Sequence, residues 1–173
     1  MWIPKRVLVS VFAAAFTALS AAAAVSALGD GGHHGNGQRH GALLIQESIA
    51  PSQTTDPMFH GVDRGAAPWV LKRGDVQLQR NRLDLRVRGL VIPVAPANGT
   101  PGPVTTISAS LYCGADLNTA AADTTQPVPI SRSGNARIRD RSFTVPSTCL
   151  APVILVHPNG DTMHYIAVDG RRM

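Results

Sequence analysis

The chain has 173 residues, with 16 Lys and Arg against 11 Asp and Glu, a formal charge of +5, and two cysteines. That length holds one domain with a real core and excludes two ordinary ones. The charge is too mild for a dedicated nucleic-acid binder, so no nucleic acid is expected as a partner.

Residues 1–27 read as a secretory signal peptide. Lys5 and Arg6 form a basic start, Val7 to Val25 carries no charge, and the run closes on Ala24-Val25-Ser26-Ala27. A basic region, an apolar region and a small-x-small exit place cleavage after Ala27 and predict a secreted, extracellular protein. The alternative is an uncleaved N-terminal membrane anchor, since the run approaches the length of a bilayer span. Its high Ala content argues against that, and membrane contact is then expected only through the signal segment before cleavage. Cleavage leaves 173 − 27 = 146 residues and a charge of 14 − 11 = +3.

Residues 28–56 read as a linker and lead-in. Gly29 to Gly41 holds six glycines, with His33, His34 and His40, and almost nothing apolar. Such a composition cannot offset the entropy of ordering itself. A His-rich tract can bind metal ions loosely, but a solvated spacer accounts for it equally well. Ala42 to Ile45 starts either a strand or a short helix, and Pro51 and Pro57 stop either quickly.

From residue 57 on, short runs of Val, Ile, Leu and Thr are separated by Gly, Pro and Asn, with no sustained helical periodicity. This is how an all-β sandwich or barrel reads. Trp69-Val70-Leu71 is a first strand. Val76 and Leu78, then Leu83, Leu85 and Val87, alternate with polar residues around a turn at Arg80-Asn81-Arg82, which predicts a hairpin with one buried face. Gly89 shifts the phase to Leu90 and Ile92, which suggests a bulge. Val94 to Pro103 is a Pro-rich loop in which Asn98-Gly99-Thr100 reads as a turn. Thr105 to Cys113 puts Ile107, Ala109, Leu111 and Cys113 on one face. Val128 to Ile130 and Ala136 to Val145 follow. Val153 to His157 and Met163 to Val168 form a last hairpin around Asn159-Gly160, the strongest short hairpin signal. The expected fold is an all-β, antiparallel, immunoglobulin-like β-sandwich over residues 57–173, with about seven to nine strands and one disulfide.

Cys113 and Cys149 are the expected disulfide, as the only two cysteines of an exported chain. They close a loop of roughly 37 residues, for which the chain-entropy relation gives roughly 3.5–4 kcal/mol. The alternative, a catalytic thiolate, has no cysteine signature to support it.

The blocks "GVDRGAAPWVLKRGDVQLQRNRLDLRVRGLVIP", "GTPGPVTTISASLYCGAD" and "STCLAPVILVHPNG" resemble a family of small secreted actinobacterial proteins. The similarity spans about Asp56 to Gly170, and the family also shares a signal peptide, the two cysteines, and the landmarks that are here Trp69 and Pro158-Asn159-Gly160. Where that family turns its first hairpin on an Asp-Gly type pair, this chain has Arg80-Asn81-Arg82. The resemblance implies export and a β-rich domain and supplies no activity.

Two constellations carry chemistry. In a two-residue Asn159-Gly160 turn, Leu155 faces His164, and His157 and His164 become diagonal neighbours. With Asp161 they offer two imidazoles and a carboxylate to zinc or another divalent metal, the only cofactor considered. The competing arrangement buries one histidine and leaves the other in solvent. Secondly, Arg86 and Arg88 share one strand face, and Arg137, Arg139 and Arg141 share another. If both belong to one sheet, they form a cationic patch for an anionic cell-wall polymer, a polysaccharide or a phosphate-bearing ligand. Asp84 and Asp140 dilute it, and a plain solvated face is the competing account. No aromatic residues interleave with these arginines, as a nucleic-acid stacking platform requires.

Nucleophile-elbow, zinc-protease, phosphate-loop and dinucleotide signatures are absent. Asp63, Asp75, Asp116 and Asp161 show no spacing that pairs two across a cleft. The functional expectation is therefore a secreted, non-catalytic binding or cell-envelope module. A metal-binding protein or small secreted enzyme at His157, Asp161 and His164 is one alternative, and a purely structural surface protein is the other.

Overall fold

Alternation around Arg80-Asn81 builds the hairpin that anchors the domain. β3 (Arg73–Gln79) and β4 (Arg82–Arg88) pair antiparallel, Gln79 opposite Arg82 and Val76 opposite Leu85. Val76, Leu78, Leu83, Leu85 and Val87 are buried, each contributing about 1.5–3 kcal/mol of apolar transfer. The computed structural model describes residues 42–115 and 120–171. The expected signal peptide and cleavage site, the three linker histidines and Asp116 lie outside the described residues.

Eleven strands form among the described residues, and no helix. Besides β3 and β4 they are β1 (Leu43–Pro51), β2 (Asp63–Arg64), β5 (Thr106–Tyr112), β6 (Asp123–Thr124), β7 (Val128–Pro129), β8 (Ala136–Asp140), β9 (Val153–Pro158), β10 (His164–Tyr165) and β11 (Ala167–Asp169). Nine belong to one sheet with the order β6-β5-β9-β11-β1-β3-β4-β8, β7 pairing with β5 beside β6. All its ladders are antiparallel. The fold is thus all-β and antiparallel, as the alternation predicts. Its layers are joined, however: where an immunoglobulin-like sandwich has two separate sheets, one sheet here curls as a half-barrel.

β1 makes that curl. Its first part pairs with β3 and its last three residues with β11, so one strand serves both halves. The segment read as lead-in up to Asp56 is therefore corrected: it contains β1, which lies mid-sheet, with Ile45 and Ile49 in the core. Gly74 lets the strands close, because a Cβ there would stand 2.7 Å from Ile49 Cβ. Ser131 to Asn135 carries the chain from β7 to β8, which packs against β5 and β7 from the far end of the sheet. The inner faces meet in one core that includes Ile107, Leu111, Ile138, Phe143, Ile154 and Val156.

Three local expectations change. Trp69-Val70-Leu71 is not a strand but makes one bridge, Val70 to Val91, with Trp69 buried. Gly89, at φ +66°, does shift the apolar phase, yet it ends β4 rather than bulging within it. Asn159 and Gly160 form the expected turn, with φ of +50° and +73° and Asp161 N–H donating to Pro158 O at 2.8 Å. After it the chain leaves β9. Asp161 Oδ1 accepts the Met163 N–H at 2.9 Å and turns the chain again. His164-Tyr165 then runs parallel to Asp63-Arg64, and Leu155 faces Val168, not His164. Tyr165 causes the detour: it is fully buried with Val62, Tyr112 and Leu155 in a second cluster. Its hydroxyl donates to Pro57 O at 2.7 Å.

Candidate functional site: an arginine face

The outward positions of β3, β4 and β8 are set by the same alternation that buries their neighbours. Leu83, Leu85, Val87 and Ile138 point inward, so Arg82, Asp84, Arg86, Arg88, Arg137 and Arg139 point out. Register brings the two groups together: Arg86 stands directly opposite Arg137, and Asp84 opposite Arg139. β3 adds Arg73 opposite Arg88, and Asp75 opposite Arg86. Six arginines and two aspartates thus share one face, 6 − 2 = +4. Arg141 lies one residue beyond β8, exposed in a bend where ladder parity no longer places it.

Asp84 organises the β4–β8 side. It accepts from Arg82 Nε at 2.7 Å, and Arg137 Nη2 and Arg139 Nε stand 3.4 and 3.5 Å from its other oxygen. Arg73 stands 4.0 Å from Asp75. Among the described residues no carboxylate lies within salt-bridge distance of Arg86 or Arg88. These two line a shallow depression of about 210 Å³ together with Arg73 and Asp75. Directly opposed like charges destabilise a ladder; Asp84 and Asp75 answer Arg137 and Arg73, one member of each arginine pair, and leave Arg86 and Arg88 without a salt bridge among the described residues. Asp140, expected to dilute the patch, instead accepts from Ser142 N–H and Oγ–H at its own turn.

The histidine corner is built differently from the expected ligand set. His157 on β9 is fully buried, facing the second cluster rather than solvent. Its Nδ1–H donates to His164 O at 2.7 Å, which leaves the lone pair on Nε2. That atom has no hydrogen-bond partner, nor has the Ser108 hydroxyl opposite it on β5. Burial pushes the His157 pKa below its usual value, against smaller upward effects of the His164 carbonyl and the Asp161 charge. His164 is exposed and donates Nδ1–H to Asp161 Oδ2 at 2.7 Å. That bond chiefly holds the Asp161 carboxyl below the usual carboxylate range. One histidine is buried and the other solvated, and no group of three His, Cys, Asp or Glu able to hold a metal ion is found among the described residues.

Cys113 and Cys149 are bonded, with Cα atoms 4.9 Å apart. The bridge ties the residue after β5 to the segment leading into β9, and both cysteines pack against the core. Cys113 is half-buried. The arginine face draws in Arg73 and Arg82, whose membership becomes visible only through the ladder register. No helix of the described residues is long and apolar enough to cross a membrane. Comparison of the chain with protein-family models, curated proteins and solved structures yields no match, so the geometry of these faces carries the functional argument.

Proposed function

We propose that this is an exported, non-catalytic module that binds an anionic polymer of the cell envelope through the outer face of β3, β4 and β8. One observation carries the reading: Arg73 against Arg88 and Arg86 against Arg137 are paired across the ladders, and among the described residues no carboxylate lies within salt-bridge distance of Arg86 or Arg88. Strand geometry spaces these charges by about 5 Å across and about 7 Å along the sheet. A repeating anion can engage several at once, and guanidinium forks suit phosphate and carboxylate oxygens. The shallow depression lined by Arg73, Arg86 and Arg88, with Asp75 as its one carboxylate, is the seat for one such group.

The basic start, apolar run and small-residue exit before Ala27 supply the address, and the disulfide agrees with an oxidising compartment. The resemblance to small secreted actinobacterial proteins supports the same location. Retention on immobilised anionic and neutral wall polymers tests the function. The chain should bind the anionic supports, elute with salt and ignore the neutral ones, with Arg86→Ala and Arg139→Ala each weakening retention. Equal retention of both variants and the unmodified chain contradicts the proposal and favours a structural protein without a ligand.

A further inference from the structure

At the opposite extreme in character from the arginine face lies a cleft of about 540 Å³ at one end of the curled sheet. It is walled where β1, β4 and β9 finish and where β3, β5 and β11 begin. Trp69, Ile92, Val104, Ile166, Pro103 and Pro158 are the bulky apolar members of its lining, beside charged groups at the rim. Mouths of curled or closed sheets with apolar walls and a few polar groups are common ligand sites, and this volume lies in their usual range.

Two features suggest that the space is kept open. Gly65-Ala66-Ala67 forms one wall, and Gly65 has no positive φ that demands glycine. A Cβ on it would stand 3.4 Å from both Ile166 Cγ2 and Trp69 Nε1, so the missing side chain is cleft volume. Trp69 is only 2% exposed as a residue, but its Nε1–H, beside that space, is not closed off from solvent and makes no hydrogen bond among the described residues. A donor at a cleft wall can bond a ligand oxygen in place of water. At the rim His164, oriented by Asp161, offers its remaining ring nitrogen. The charged groups there answer each other: Arg64 Nη1 is 3.1 Å from Asp63, and His164 bonds Asp161. The cleft has no unanswered cation to draw an anion.

We propose that this cleft binds a neutral, largely apolar small molecule carrying an acceptor oxygen, which takes the Trp69 N–H. This site is separate from the arginine face and does not rest on it. The ligand's apolar body fills the space over Gly65, and its outer end reaches His164.

Fluorescence titration of the full chain with 6-propionyl-2-(dimethylamino)naphthalene, a neutral aryl ketone, tests this. Expected is a saturable one-to-one blue shift. Gly65→Leu fills the floor and should weaken binding at least tenfold. Trp69→Phe removes the donor while keeping an aromatic side chain, though a smaller one, and should weaken binding by at least about fivefold, the usual worth of one neutral hydrogen bond. An Arg86→Ala, Arg88→Ala double variant should bind the ketone unchanged. Non-saturable binding, or unaltered affinity in Gly65→Leu or in Trp69→Phe, overturns the proposal. Should Gly65→Leu not fold, Trp69→Phe decides alone.

Discussion

Replacing Asp84 with Asn separates the stability of the arginine face from its function, because the two should move in opposite directions. Asp84 is the shared acceptor of Arg82, Arg137 and Arg139, and its side chain is 18% exposed against 39%, 44% and 55% for theirs. Partly exposed pairs contribute about 0.2–1 kcal/mol each, so three together should cost about 1–2 kcal/mol when lost. For a domain of this size that lowers Tm by roughly 3–10 °C. Binding should gain instead. Removing a negative charge about 7 Å from a bound anion relieves about 0.6 kcal/mol of repulsion at the dielectric of water, or roughly threefold in affinity. Thermal unfolding and titration with polyphosphate at low salt read the two effects. A variant that is less stable and binds more weakly would show that Asp84 positions the arginines for the ligand, and would refute the charge argument.

Three further outcomes follow from the fold. A Cys113→Ser, Cys149→Ser double variant should lose about 3–4 kcal/mol of unfolding free energy in urea, and a loss under about 1 kcal/mol would show that the loop is already restrained in the unfolded chain. Burial pushes the Asp169 carboxyl from 3.8 up to about 6, while it accepts the Ile154 N–H at 2.9 Å. Its favourable contribution is full below pH 3.8 and disappears as pH rises through about 6. Asp169→Asn, which keeps the acceptor and stays neutral, should therefore raise stability by about 1–2 kcal/mol at pH 7.5 and leave it unchanged at pH 3.5, read from urea unfolding at both pH values. His157, held neutral by burial, acts the other way, with stability falling as pH drops below 6.5. The comparison is therefore made against the Asn variant at each pH. Gly134→Ala should cost more than about 2 kcal/mol in thermal unfolding, since Gly134 has φ +74° and its Cβ would fall 2.4 Å from Leu90 O.

Period-two alternation was enough to read β3, β4 and the buried face of β5, because those strands have one wet or evenly packed side and strict parity. β1 was legible only as a short element, strand or helix, that starts at Ala42 to Ile45 and stops by Pro51; a register shift between Leu43 and Ile45 breaks the alternation that would mark a mid-sheet strand. β2 and β10 are two residues each and carry no period to detect. His157 shows where parity succeeds and its interpretation fails. It lies on the face of β9 opposite Ile154 and Val156, as the alternation requires. That face is covered by the second cluster around Tyr165, so it is buried rather than free for a ligand. Arg86 and Arg137 were legible as outward residues, but their opposition needed the β4–β8 register. The apolar cleft was invisible for the same reason, since it is made from the ends of strands far apart in the chain.

The most direct test of the arginine face is polyphosphate binding measured at 50 and 200 mM salt, with the chain and with an Arg86→Ala, Arg88→Ala double variant. Electrostatic docking onto several guanidiniums predicts saturable binding that weakens steeply with salt, each engaged arginine adding about one unit to the slope of log affinity against log salt. The double variant should lose about two units of that slope. No saturable binding at 50 mM salt, or equal slopes for the two proteins, would contradict it.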